Sequence, residues 1–217
     1  MQLPPSVNRT PATRIQRRLR PSGLAALGVV LACASASRRA AEAELRRGCT
    51  AAAATAAAAD RAPRDTLQRA IVLLQNCAEG PAALTSLLTS PPADSVTRDL
   101  LFRVSGNLRD RRMMTTLMAV ANDPARLAAH RVAAVAALIS HYDPMLSVRV
   151  VPGRVAGAPL RAQMYRSSHD ATVTGSQPLP ADAKAQVRTL VEQLATMDGD
   201  AVVRAFAASL RTQLPRL

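Results

Sequence analysis

Apolar residues recur along most of the chain at the three- and four-residue spacing that places them on one face of an α-helix. Residues Ala40 to Ala59 are almost all alanine, broken by Glu42, Glu44, Arg46 and Arg47, a composition that favours a helix strongly. Asp60-Arg61-Ala62-Pro63 interrupts it. Leu67, Ala70, Ile71 and Leu74 then predict a second helix from near Asp65 to the Gly80-Pro81 break. A short apolar helix over Pro81–Thr89 stops at Ser90-Pro91-Pro92. Asp94 or Ser95 caps the next, with Val96, Leu100, Leu101 and Val104 on one face and an end at Gly106. Asp110 caps another that carries Met113, Met114, Leu117, Met118 and Val120 up to Asn122-Asp123-Pro124. Further helices are predicted over 125–140, 182–196 and 201–214. Segments of roughly 10 to 17 residues joined by short turns indicate stacked antiparallel pairs.

The helical period vanishes from Met145 to Pro180. Ser147-Val148-Arg149-Val150-Val151 is rich in β-branched residues and meets Pro152-Gly153, while Leu160 to Tyr165 and Ala171 to Thr174 are further strand candidates. We read a β-hairpin or three-stranded flap inserted between helix pairs. It carries Arg149, Arg154, Arg161, Tyr165, Arg166 and His169 against one acid, Asp170, which makes it the candidate partner-binding element. The alternative is a brace that covers a helix face.

Composition sharpens this picture. Among 217 residues aromatics make up 2% and Trp is absent, whereas Ala occupies 44 positions, so the core must be close-packed Ala, Leu and Val. The net charge is +13, and every basic residue except Lys184 is Arg. Part of that charge sits in the first 23 residues, where Arg9, Arg14, Arg17, Arg18 and Arg20 have no acid among them. An apolar run from Leu24 to Ala34 follows, of about 11 residues against the roughly 20 that a membrane span requires. This reads as a signal peptide ending at the small residues Ala34-Ser35-Ala36. Val30-Leu31-Ala32-Cys33 also resembles a bacterial lipobox, in which case Cys33 would be lipidated and would hold the protein to a membrane surface. Residues 1–36 thus hold a signal peptide or, with Cys33 as the lipidated first residue, a lipoprotein leader, and either reading places the protein in the cell envelope or outside the cell.

Two cysteines then remain, Cys49 and Cys77, an even number that suits an oxidising compartment. Cys49 lies 14 residues before Pro63 and Cys77 lies 14 after it, so an antiparallel turn at Pro63 would set them level. Either a disulfide joins them or two free thiols are buried between Ala-rich helices.

Two stretches carry a family resemblance. After Asp123-Pro124 the chain reads His130-Arg131-Val132-Ala133-Ala134 and then Ala137-Leu138; after Asp198-Gly199-Asp200 it reads Val203-Arg204-Ala205-Phe206-Ala207-Ala208 and then Leu210. Both resemble the second helix of HEAT-type repeats. The repeat-motif residues are Asp123, Arg131, Asp198, Asp200 and Arg204; an Asp in the turn can cap a helix, and the Arg can pair with a turn Asp of the neighbouring repeat. The resemblance covers about residues 107–144 and 181–214. It implies an all-α fold, a short HEAT-like α-solenoid of about four antiparallel helix pairs with a small β-rich insertion. The organisation would be a leader (1–36), HEAT-like helical repeats (37–144), the β-hairpin-like insertion (145–180) and a C-terminal HEAT-like pair (181–217).

Enzyme chemistry has little support. His130, His141 and His169 form no H-x-x-x-H pair, there is no C-x-x-C, and Ser167-Ser168-His169-Asp170 sets triad residue types side by side where a triad needs separate elements. The nine glycines form no phosphate-binding loop. We therefore expect no enzyme activity, cofactor or metal, and a non-enzymatic scaffold that binds a protein partner. The alternative is a basic HEAT-like nucleic-acid-binding protein, as in the alkylpurine DNA glycosylase family. Charge spread over many helices, few aromatics and the leader argue against nucleic acid.

Overall fold

The computed structural model describes residues 22–153, 160–166 and 177–214, with side chains from Arg38 onward. The chain divides into two compact units, Met1–Ala43 and Glu44–Leu217. The first contributes the start of helix α1 (Ser22–Ala57), and all else described below belongs to the second. The helix runs through the Ala-rich stretch as far as Ala57 and gives way to a turn over residues 58–61. On its later turns Cys49, Ala52 and Ala56 are the buried stripe. Helix α2 (Arg64–Leu74) buries Leu67, Ala70, Ile71 and Leu74, the four positions its sequence period singles out. It ends six residues before the Gly80 break, because residues 75–79 form a turn that bonds back onto Leu74 through the Cys77 N–H at 3.2 Å. Gly80 then passes so close that a Cβ there would overlap the Leu74 carbonyl oxygen.

Helices α3 (Gly80–Thr89), α4 (Ser95–Asn107) and α5 (Arg111–Asn122) follow. Asp94 caps α4 by accepting from the Thr97 N–H at 2.8 Å, and Asp110 caps α5 by accepting from the Arg112 N–H at 2.9 Å. The methionines of α5 are core: Met113 and Met114 are buried with Leu117 and Val120. Helix α6 (Ala128–Tyr142) begins three residues later than its apolar pattern suggests. Asp123 folds the intervening residues into a turn, taking the Ala125 N–H on its carboxylate at 3.0 Å and the Arg126 N–H on its carbonyl at 3.1 Å. From Arg131 on α6 is buried nearly all round, as befits a helix packed against α4, α5, α7 (Ala183–Met197), α8 (Ala201–Arg211) and the hairpin. Small residues permit that crowding. A Cβ on Gly106 of α4 would stand 2.8 Å from the Ala137 carbonyl oxygen of α6.

The even-numbered helices pack in sequence, α2 on α4, α4 on α6, α6 on α8, while α3 packs on α5 and α5 on α7. The chain is thus mostly helical, with eight helices among the described residues. The insertion supplies one two-stranded antiparallel sheet, β1 (Leu146–Val151) with β2 (Arg161–Arg166), in the register Leu146↔Arg166 to Val151↔Arg161. Two of the three strand candidates are thus paired; the third, at Ala171–Thr174, lies outside the described residues. Beyond them, Asp110 reaches the returning chain by accepting from the Gln177 N–H at 3.3 Å.

Cys49 and Cys77 are joined as a disulfide, with their Cα atoms 5.5 Å apart. The turn after α1 does set the two levels together. Gly48, whose Cβ would meet Leu73 at 3.3 Å, marks how closely α1 and α2 approach beside the bridge. No helix among the described residues is long and apolar enough to cross a membrane.

Candidate interaction site

Strand alternation sorts the hairpin's side chains onto two faces. The register puts Ser147, Arg149, Val151, Arg161, Gln163 and Tyr165 on one face and Leu146, Val148, Val150, Ala162, Met164 and Arg166 on the other. The second face meets the helices: Ala162 is buried, and Leu146, Val148 and Met164 pack against the core. Arg166 belongs to that inner set but sits at its exposed end. The insertion therefore does cover a helix face, with β1 on α6 and β2 on α8, and at the same time turns its outer face away.

That outer face is basic and aromatic. Tyr165 remains 47% exposed, and the Arg149 guanidinium lies 5.9 Å from its ring centroid, a cation–π contact between diagonal neighbours. Arg149 is exposed and Arg161, two positions along the same face of β2 from Gln163, is half-buried. No described carboxylate pairs with either. Arg154 and His169 lie outside the described residues, so of the six residues assigned to the insertion's surface the structure brings together three, Arg149, Arg161 and Tyr165.

The face is held rigidly by contacts that the sequence did not reveal. The side-chain amide of Gln213 accepts from the Met164 N–H at 3.0 Å and donates to the Ala162 carbonyl at 2.9 Å, standing where a neighbouring strand's peptide would stand. Ser209 Oγ accepts from the Ala162 N–H at 2.8 Å. Together they close the free edge of β2, which would otherwise offer unpaired backbone groups to other strands. No sequence signal marks Gln213, since a glutamine at a helix end is ordinary.

The repeat-motif residues sit elsewhere. Arg131 on α6 pairs with Asp198 between α7 and α8, and its Nε donates to the Ala121 carbonyl at 2.9 Å. Arg204 donates to the Asp198 carbonyl, and Asp200 caps α8 through the Val202 and Val203 N–H groups. Asp123 serves its own turn and an ion pair with Arg126 at 3.3 Å. Cys33 falls on α1, outside the described side chains.

Two histidines are described. His141 is 1% exposed, and among the described residues neither ring nitrogen has a well-formed hydrogen bond. Burial pulls its pKa down to about 4, which the nearby Ala137 and Leu108 carbonyls offset only in part. His130 is also held below its ordinary value, by burial and then by Arg98 and Arg126. Among the described residues no group of three His, Cys, Asp or Glu side chains could hold a metal ion.

The chain matches no family model, no curated protein and no solved structure. Its function must therefore be read from these surfaces.

Proposed function

We propose that this protein is a non-enzymatic interaction scaffold, a short HEAT-like solenoid that presents the outer face of its inserted hairpin to a protein partner. The observation that carries the reading is that exposed Arg149 and Tyr165 and half-buried Arg161 share the outer face of a hairpin whose strand edge is fixed by Gln213 and Ser209. A surface already ordered before contact loses less conformational entropy on binding, and Tyr and Arg are the residue types that most often anchor interfaces. The packing of even-numbered helices in one row and of α3, α5 and α7 in another supports the repeat reading. So does the link from Arg131 to the Asp198 turn. The disulfide between Cys49 and Cys77 supports an exported protein, free or tethered through Cys33.

A photo-cross-linking residue in place of Gln163, on the outer face, tests this in the cells that make the protein. Discrete protein adducts that disappear with Arg149→Glu plus Arg161→Glu, while melting temperature stays constant, are the expected result. The same charge reversal at Arg166 should matter less. Adducts indifferent to these changes would reduce the hairpin to a brace, and retention on duplex DNA that weakens steeply with salt would favour the nucleic-acid alternative. Export is read separately from intact mass: acylated from Cys33, starting near Ser37, or full length.

A further inference from the structure

The two long edges of the hairpin are finished differently. On β2 the N–H and C=O of Ala162 and the N–H of Met164 turn away from β1, towards Ser209 and Gln213. Residues directly opposite each other in an antiparallel pair either exchange their backbone bonds or both turn them outward. Val150 stands opposite Ala162 and Val148 opposite Met164, so the N–H and C=O groups of Val148 and Val150 point out from the other edge, that of β1. Leu146 belongs to the same set, and its N–H is taken by the Asp143 carbonyl at 3.0 Å. Among the described residues nothing takes up the backbone groups of Val148 and Val150. The edge of β1 is open where that of β2 is closed.

The surroundings of this edge select what can pair with it. A strand laid beside β1 alternates its side chains as β1 does, so one set lies next to Val148 and Val150 and the other next to Ser147, Arg149 and Val151. Val150 is 37% exposed and Met145, just before the strand, 38%, apolar surface that an apolar residue of the added strand would cover. On the other face Arg149 is exposed and has the Tyr165 ring beside it but no described carboxylate. The charged side chains of β1 and β2 are all guanidinium groups, and α6 and α8, on which the hairpin rests, carry no acidic residue. Asp143, at the end of α6, gives its carboxylate to the Met145 N–H at 2.9 Å, and Asp200 gives its own to the start of α8. An acidic strand is therefore favoured over a second copy, since pairing two β1 edges would crowd their Arg149 side chains together.

We infer that the open edge of β1 takes an extended segment of a partner protein as a third strand, its alternate residues apolar against Val148 and Val150 and acidic beside Arg149. Backbone hydrogen bonds to the two valines supply affinity, and the alternating side chains supply selectivity. Ser209 and Gln213 hold β2 to α8 while β1 is extended, so the sheet grows on one side only. The inference deepens the reading of the hairpin as the partner-binding element and rests on it, because it names how the partner is held.

The test reads amide hydrogen exchange by NMR in the full chain, with a blocked peptide in which valine and glutamate alternate as the probe. In the free protein the Val148 and Val150 amides should exchange faster than that of Arg149, which the pairing with Gln163 holds. Saturating peptide should slow both by about tenfold or more, and the same peptide methylated on its backbone nitrogens should not. Arg149→Glu should weaken binding by about tenfold and should instead bind the counterpart peptide in which lysine replaces glutamate, a gain that an unfolded variant would not show. Four results would overturn the inference: Val148 and Val150 amides already as slow as Arg149 in the free protein, protection that grows with protein concentration in the absence of peptide, no protection by the peptide, or equal binding of the methylated peptide. Either of the last two, with cross-linked adducts at Gln163 retained, would remove the strand edge and leave the outer-face reading intact. Protection by the peptide without any adducts at Gln163 in cells would count against the partner reading and leave the edge as a strand-binding site.

Discussion

The guanidinium of Arg131 and the carboxylate of Asp198, 67 residues apart in sequence, meet with side chains only 4% and 6% exposed. Arg131 also satisfies the Ala121 carbonyl, so one side chain ties the end of α5 and the turn before α8 to α6. Removing one partner of such a pair leaves an uncompensated charge out of water. Arg131→Met should lower unfolding free energy by about 3 to 5 kcal/mol. Adding Asp198→Leu should restore part of that loss, and urea denaturation of the two single variants and the double variant measures the coupling. Equal and additive losses would mean that the pair carries no energy of its own.

His141 should make the protein acid-sensitive. Its folded pKa of about 4 lies below the value of 6.5 for an exposed histidine. Above pH 6.5 the ring is neutral in both states and the difference vanishes. Between pH 6.5 and 4 the unfolded chain takes up a proton that the folded chain refuses, so stability falls as pH is lowered and the loss levels off below 4. The full effect is about 3 kcal/mol. Replacing His141 with Leu should remove that part of the pH slope, which denaturation at pH 7 and pH 4.5 would register.

Reducing the Cys49–Cys77 bond releases a loop of 28 residues of sequence separation. The chain-entropy argument gives a loss of about 3 to 4 kcal/mol. Melting with and without reductant should show it, and Cys49→Ala plus Cys77→Ala should melt like the reduced protein and no longer respond to reductant.

Gln213 should govern the hairpin more than the helices. Gln213→Ala leaves the Ala162 carbonyl and the Met164 N–H without their partners, at about 1 to 2 kcal/mol. Hydrogen exchange at Met164 should quicken while amides of α6 keep their protection. Gln213→Glu retains the acceptor and should protect Met164 better than alanine does.

Gly106→Ala should cost about 1 to 3 kcal/mol. Its new methyl would stand 2.8 Å from the Ala137 carbonyl oxygen, and backbone atoms in a buried helix cannot step aside. Thermal melting of this variant beside Gly199→Ala, where a Cβ meets nothing within 4 Å, separates the clash from the general effect of losing a glycine.

The sequence determined whatever depends on near neighbours. Local pattern named Leu67, Ala70, Ile71 and Leu74 as one buried face, Asp110 as a cap, Asp94 as one of two candidates for another, and Leu146–Val151 with Arg161–Arg166 as strands to within a residue, because burial, capping and β-branching act over a few positions. The equal distances of Cys49 and Cys77 from Pro63 made their pairing a matter of counting along a hairpin, although only the fold chose the disulfide over two thiols. Tertiary structure decided the rest. Which insertion residues share a face follows from a register that no local pattern specifies, and it separated Arg166 from Arg149 and Arg161. The place of the Gln213 amide beside β2, and the meeting of Phe102 with His130, both depend on helices brought together by core packing, and packing is a property of the whole chain.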